Sequence, residues 1–183
     1  MPGALFDAEK FASIMKTEVE EIAEREYGGT SQSSLGKAFA FWTIKNMSPQ
    51  LSKQEVELAR SICEAHGPGD KNIDGAWIDG DNLFLIQAKY EAPNIPTSDQ
   101  ENFNPPKFAA DPAEQLQEGF QRVCEYFHAT PPSPSRKLLQ LSDLYRKAIQ
   151  GHLRIRLIVA ISGNARKSLH EKIEEINQTF DSN

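Results

Sequence analysis

Apolar residues at three- and four-residue intervals, together with capping signals, predict six helices along this chain. In the first helix, an apolar stripe from Phe11 to Ile22 ends before Gly28. Ser52 and Glu55 form a capping box that begins the third helix. We expect the helices to span residues 7–27, 35–47, 53–65, 111–128, 136–150 and 165–180.

Three shorter runs, rich in β-branched and aromatic residues, predict strands at residues 73–78, 83–90 and 153–162. The first two runs flank Asp79-Gly80-Asp81-Asn82, a sequence typical of a hairpin turn. Their apolar residues occupy both faces, so we expect helices to cover the sheet on both sides. The chain is therefore predicted to be an α/β domain, with a small mixed sheet flanked by helices.

Polar side chains interrupt the hairpin at three positions that share one face. If Gly80-Asp81 is the loop of a type II′ turn, Asp74 lies opposite Gln87, and Lys89 lies on the same face. If Asp79-Gly80 forms a type I′ turn, Asp74 becomes a diagonal neighbour of Gln87 on that face. A buried carboxylate and a buried ammonium group are costly unless they have partners. The pattern therefore indicates either a buried salt bridge or a functional site.

The length of 183 residues fits a single domain over residues 1–183. We divide it into an N-terminal helix and linker (1–34), helices plus the hairpin (35–90), a long loop (91–110), and C-terminal helices with one strand (111–183). Two cysteines far apart in the sequence indicate reduced thiols rather than a disulfide framework. With no signal peptide and no apolar run long enough to span a bilayer, we expect a cytoplasmic protein without membrane contact.

The charge is unevenly distributed. A net charge of -6 argues against a dedicated nucleic-acid binder. Between residues 136 and 167, however, eight basic residues meet a single acidic one. This asymmetry leaves room for a basic face that binds nucleic acid, for which the candidates are Arg154, Arg156, Arg166 and Lys167.

The stretch from Glu91 to Ala110 contains four prolines and predicts a long loop. Because it directly follows Lys89 and Tyr90, we interpret it as a flap beside the hairpin. A disordered insertion is the equally supported alternative.

The hairpin carries a family resemblance. Asp74 followed by Gln87-Ala88-Lys89 resembles the bipartite motif of the PD-(D/E)XK nuclease superfamily, in the Gln-x-Lys variant of Mrr-like restriction endonucleases. The longer pattern, from Gly69-Asp70-Lys71-Asn72-Ile73-Asp74-Gly75 to Gln87-Ala88-Lys89-Tyr90, is similar to the start of the abortive phage infection (AIPR) family. The departures are Asn72 where that family has Gly, and Ala88 where it has Ser.

The resemblance implies a restriction-endonuclease-like core and a metal-dependent active site. Asp74, Gln87 and the Ala88 backbone carbonyl would bind Mg²⁺ (or Mn²⁺), which takes oxygen ligands. Lys89 would orient the attacking water or stabilise the transition state. We expect an additional carboxylate from the preceding helix, either Glu57 or Glu64, and a role for Asp70 in the approach to the site.

The predicted function is hydrolysis of phosphodiester bonds in nucleic acid, with DNA as the expected substrate, in defence against phage. One alternative is a catalytically silent nuclease-like domain that binds nucleic acid or a protein partner. Another is a sensor or assembly domain that needs a missing C-terminal domain, because AIPR proteins are generally longer. Assembly as a homodimer is left open.

Overall fold

The computed structural model describes residues 7–65, 72–95, 102–128 and 134–181. Within these ranges it confirms a mixed α/β chain with six helices and a small mixed sheet. In chain order, the elements are α1 (Ala8–Tyr27), α2 (Gln32–Met47), α3 (Lys53–Glu64), β1 (Gly75–Asp79), β2 (Asn82–Lys89), β3 (Lys107–Phe108), α4 (Asp111–His128), α5 (Arg136–Gln150), β4 (Arg154–Ile161), β5 (Asn164–Ala165) and α6 (Lys167–Asp181).

The main sheet has three strands in the order β1-β2-β4. β1 and β2 pair antiparallel, and β2 and β4 pair parallel, so β2 is the central strand. Asp79 lies opposite Asn82, as predicted for a loop formed by Gly80 and Asp81. Gly80 has a φ of 53°, whereas Asp81 is not among the residues with positive φ. This combination matches the type II′ turn, which places its glycine first.

Apolar residues cover the sheet on both faces, as the strand patterns predicted. The first core lies between the sheet and helices α1, α2 and α3, and contains Trp77 and Ile86. The second core lies on the side of α4 and α5, and contains Ala76 and Leu85. Ile73 belongs to the second core, although alternation along a regular strand would place it on the same face as Trp77, in the first core. It precedes β1, and strand alternation therefore does not govern its side chain.

The helix ends follow local chemistry. Gly28, with a φ of 73°, ends α1, and the predicted Ser52–Glu55 capping box begins α3. The predicted stripe of α1 is wrong at Phe11, which is 45% exposed, because the buried stripe includes Ala12 instead. Helix α2 begins three residues earlier than predicted, since Ser31 caps it by accepting a hydrogen bond from the Ser34 amide.

A second, two-stranded sheet was not predicted. Within the expected loop 91–110, β3 pairs parallel with β5, which lies where the last helix was expected to begin. A β-carbon on Gly163 would lie 2.2 Å from the Pro106 carbonyl oxygen. These two segments of the chain therefore approach each other closely only because residue 163 is glycine. Pairs of two residues carry too little periodicity to be recognised from the sequence.

None of the described helices is both long enough and apolar enough to cross a membrane.

Gly119 fixes the distance between α4 and the segment that leads into β1. A β-carbon there would lie 2.9 Å from the Asn72 carbonyl oxygen and 2.8 Å from the Ile73 side chain. We expect Gly119→Ala to lower the free energy of unfolding by about 1–3 kcal/mol, because overpacked contacts must move apart. Urea unfolding followed by circular dichroism measures this change.

The matched control is Gly36→Ala in α2, where a β-carbon meets nothing within 4 Å. Alanine is the better helix former, so this variant should gain up to about 1 kcal/mol. Equal stability losses in both variants would contradict the packing role of Gly119.

Candidate active site

Asp74 directly precedes β1, whose paired register with β2 ends at Gly75 and Ile86. The Asp74 N–H donates to the carbonyl of Ile86, the residue that Gly75 already faces, at 2.7 Å, so the Asp74 backbone departs from the regular register while its side chain reaches Gln87 and Ala88. The Asp74 Oδ2 atom accepts hydrogen bonds from Gln87 Nε2 at 2.6 Å and from the Ala88 N–H at 2.8 Å. The structure thus brings Asp74, Gln87 and Ala88 into one hydrogen-bonded cluster.

Gln87 is 1% exposed and lies near the C-terminal end of the central strand. Its amide nitrogen is used by Asp74, but its Oε1 atom is buried and accepts no hydrogen bond from the residues that the structure describes. An unsatisfied buried oxygen costs about 1–3 kcal/mol. This atom is therefore a neutral oxygen available for a ligand beside the Asp74 carboxylate.

The backbone of β2 directs a second oxygen toward the same edge. In a strand, the N–H and C=O of one residue point to the same side. Because the Ala88 N–H points to Asp74, its carbonyl also points to the β1 side, beyond the residues that β1 pairs. Lys89 is half-buried, and it lies two residues beyond Gln87 on the same face.

A buried lysine, Lys137 in the first turn of α5, is a further charge near this cluster. Burial raises the pKa of the Cys63 thiol to about 12, the charge on Lys137 opposes this rise, and the charge on Asp74 adds to it. Both charges are therefore close to one buried thiol. Gln140, one turn after Lys137, donates to Ser61 Oγ at 2.9 Å and holds α5 beside α3.

Lys137 was not predicted as a site residue, although its position in the sequence carries a signal. Lys137 precedes Leu141, Leu144 and Ala148 at helical spacing, and these three residues form the buried stripe of α5. A lysine in an apolar stripe is 5% exposed here, and such a residue is rarely buried unless it has a partner. Lys137 thus belongs to the buried stripe of α5 as well as to the basic run of residues 136–167.

The helix α4 closes the site on the second-core side. Glu118 accepts a hydrogen bond from the Asn72 side chain at 2.8 Å, two residues before Asp74. The neighbouring Gly119 packs directly on the Asn72 backbone. Helix α4 thus holds the segment before Asp74 in two ways, by a hydrogen bond to the Asn72 side chain and by packing against the Asn72 backbone.

The structure does not bring the predicted helix carboxylates to this cluster. Glu57 and Glu64 are exposed and pair with Arg60 at 3.1 and 3.3 Å. Asp70 lies outside the described residues. Among the described residues, no group of three or more His, Cys, Asp or Glu side chains could hold a metal ion.

The two acidic residues of the hairpin turn, Asp79 and Asp81, lie at the other end of β2 from this cluster. The Asp79 carboxylate accepts hydrogen bonds from Ser48 at 2.7 Å and from Gln50. Ser48 in turn accepts the indole N–H of Trp77 at 2.9 Å. Asp79 therefore ties the hairpin to the end of α2, while Asp81 is exposed in the turn.

The four candidate nucleic-acid contacts divide into two pairs. Arg154 and Arg156 align with Asn82 and Phe84, and Arg156 precedes the residue opposite Gln87 by about 10 Å along β4. Arg166 and Lys167 follow β4 at the end where Ser162 donates to the Lys89 carbonyl. All four are exposed, but only the second pair lies at the same end of the sheet as the cluster.

The predicted flap begins from a fixed point at this end of the sheet. Ser162 Oγ accepts the Glu91 N–H at 2.9 Å and donates to the Glu91 carbonyl at 2.8 Å. Beyond this anchor, Asn94 and Asn104 form an isolated bridge, and both line an open cleft of about 350 Å³. The start of the loop is thus fixed two residues after Lys89, beside the candidate site.

The donor atoms suit a hard cation in kind. Asp74, the free Gln87 Oε1 and the Ala88 carbonyl are all oxygen donors, as Mg²⁺ requires. Only Asp74 carries a negative charge, so the residues fit a weakly held ion that keeps most of its water ligands.

No family model, curated protein or solved structure matches this chain significantly.

Replacing Asp74 should expose how much of the fold depends on this cluster. Asp74→Ala removes the acceptor of the buried Gln87 amide and of the Ala88 N–H. We expect a loss of about 1–3 kcal/mol in the free energy of unfolding, which is the cost of unsatisfied buried donors. Chemical denaturation measures it.

Asp81→Ala in the exposed turn is the control, with an expected change within about 0.5 kcal/mol. If both variants unfold at the same denaturant concentration as the parent, the Asp74 hydrogen bonds contribute nothing measurable to stability.

Proposed function

We propose that this protein is a metal-dependent nuclease with a restriction-endonuclease-like core, acting on DNA in phage defence. One observation carries the proposal: Asp74, Gln87 and Ala88 form a hydrogen-bonded cluster at the end of the central strand, with Lys89 on the same face. The chemistry and spacing of these residues are what the PD-(D/E)XK resemblance leads us to expect.

Each residue would have a distinct task. Asp74, Gln87 Oε1 and the Ala88 carbonyl would hold Mg²⁺, which when bound supplies positive charge to the scissile phosphate and acidifies a water ligand. Lys89 would lie beside the charge that develops on the phosphate oxygens, and would stabilise it through its ammonium group. The hydrogen bonds from Gln87 and Ala88 would keep the Asp74 carboxylate in one orientation.

The charge balance limits how tightly this site would bind a cation. Asp74 is its single carboxylate among the described residues, and the buried Lys137 lies close enough to act on the same thiol. A site with one anionic ligand near a cation attracts Mg²⁺ weakly. We therefore expect activity to rise with Mg²⁺ up to millimolar concentrations, with Mn²⁺ as an effective substitute.

The activity test compares two site variants with the parent on linear and circular DNA. Asp74→Asn removes the charge but keeps a side-chain oxygen for its two donors, and Lys89→Ala removes the ammonium group. Each should lower the Mg²⁺-dependent cleavage rate by about 100-fold or more. Gel-based cleavage rates, with EDTA as the metal-free reference, provide the measurement.

Lys53→Ala, which changes an exposed lysine at the start of α3, is the matched control and should cleave like the parent. A parent protein that cuts neither DNA nor RNA with Mg²⁺ or Mn²⁺ would overturn the proposal. Full activity in both site variants would overturn the assignment of the site.

A second function, nucleic-acid binding without cleavage, is favoured by a specific observation. The Asp74 Oδ2 atom is already engaged by two internal donors, and no acidic cluster accompanies it in the described chain. Arg166 and Lys167 are exposed at the same end of the sheet, as phosphate contacts require. In this reading the hairpin is a scaffold, and the basic pair is the binding site.

Removing each basic pair in turn tests where nucleic acid would bind. We expect Arg166→Ala/Lys167→Ala to weaken DNA binding and to reduce the slope of log affinity against log salt by about 2, because two phosphate contacts are lost. Arg154→Ala/Arg156→Ala removes the same charge at the other end of the sheet, and should leave the slope nearly unchanged. Fluorescence anisotropy across a salt series measures both, and the reverse ranking would place the contacts along β4.

A further inference from the structure

The strand β4 is an edge of the main sheet, although it is the most apolar strand of the chain. It pairs with β2 on one side, and the sheet order places no described strand on its other side. None of its eight residues is buried: Arg154 and Arg156 are exposed and the other six are half-buried. At the opposite edge, α3 packs against β1.

The backbone of β4 presents its free hydrogen-bonding groups in a regular row. Arg154 donates to Asp81 and Ser162 donates to Lys89, so even-numbered residues direct their backbone groups to β2. The N–H and C=O groups of the odd-numbered residues consequently point outward. No described residue bonds to these outward groups; they belong to Ile155, Leu157, Val159 and Ile161.

We propose that β4 pairs antiparallel with β4 of a second copy of this chain. The register places Leu157 opposite the second copy's Val159, and Ile155 opposite the second copy's Ile161. Every outward N–H and C=O of both strands then has a partner, because each opposed pair of this kind exchanges two hydrogen bonds. The interface is isologous, with its two-fold axis at Ile158.

This register is selected by hydrogen bonding and is compatible with the charges of the strand. A shift of two residues in either direction leaves the outward groups of Ile161 or of Ile155 without a partner within the strand. In the proposed register, Arg154 lies opposite the second copy's Ser162, and Arg156 lies opposite its Ala160. Like charges therefore do not meet directly, although each strand carries two exposed arginines.

The pairing joins two three-stranded sheets into one continuous sheet. Because the two-fold axis is perpendicular to the sheet, both copies of the Asp74 cluster lie on the same face. Strand spacing and residue rise place the two Gln87 Cα atoms about 16 Å apart in a flat sheet. The interface itself does not depend on nuclease activity.

The first measurement is the mass of the parent protein by light scattering and sedimentation at increasing concentration. We expect a shift from the monomer mass of 20.5 kDa to twice that value. A protein that stays monomeric at the highest concentration would overturn the proposal, and would leave the edge to a strand from another protein.

The second measurement tests the register. Residues 156 and 160 of the two copies would form a non-hydrogen-bonded pair, in which Cα atoms lie about 4.5 Å apart, within the range for a disulfide. Arg156→Cys/Ala160→Cys should therefore give a covalent dimer on mild oxidation, reversed by dithiothreitol. Neither single variant should do so, nor should the parent, whose Cys63 is buried and whose Cys124 is half-buried.

Non-reducing gels and intact mass give this result independently of any activity. A dimer by mass that fails to cross-link in the double variant would overturn the β4 interface. Cross-linking of the double variant together with dimeric mass of the parent would support both the interface and its register.

Discussion

The Asp74 carboxylate constrains the part of the molecule where the two strands of the hairpin separate. It receives two hydrogen bonds from β2, one from a side chain and one from the backbone, at the point where β1 no longer supplies backbone partners. These bonds continue the ladder beyond the last paired residue of β1. They also satisfy the hydrogen-bonding needs of two donors, the Gln87 side-chain amide and the Ala88 N–H, which belong to buried residues. The Asp74 carboxylate therefore has a structural role in addition to any functional one.

Charge balance around this carboxylate distinguishes the two proposed functions. A buried lysine from α5 and the Asp74 carboxylate both act on the Cys63 thiol. A lysine held so far from water requires a negative charge nearby, because desolvation of an isolated ammonium group is expensive. If the positive charge of the buried Lys137 balances the negative charge of Asp74, the hairpin is a stable scaffold. If the free oxygen of Gln87 and the Ala88 carbonyl attract a cation, the same atoms form a catalytic site.

The topology of the sheet places the groups on which both proposed functions depend at one end of the sheet. The central strand β2 leads from the turn to Lys89, and β4 runs parallel to it, so both strands deliver their following segments to the same end. Ser162, directly after β4, fixes the backbone at Glu91, directly after β2. The basic pair after β4 and the proline-containing loop after β2 consequently begin close to the cluster. The opposite end of the sheet carries Arg154, Arg156 and the hairpin turn.

The sequence by itself determined the features that depend on neighbouring residues. Helix spacing, the capping box at Ser52 and the glycine at the start of the hairpin turn follow from local chemistry, and they were predicted with small errors at the ends. The strand register from Gly75 to Asn82 also follows from the turn, and it brought the side chains of Asp74 and Gln87 within reach of each other, although Asp74 itself lies outside the paired register. Strand alternation failed at Ile73, which lies before the paired region begins.

Only the tertiary structure decided which distant groups meet. The burial of Lys137, the pairing of Glu57 and Glu64 with Arg60, and the separation of the basic residues into two pairs depend on how α3, α5 and β4 pack against the hairpin. The β3–β5 pairing likewise joins segments more than fifty residues apart. Contacts of this kind leave no periodic pattern in the chain, because they arise from packing between elements rather than from the geometry within one element.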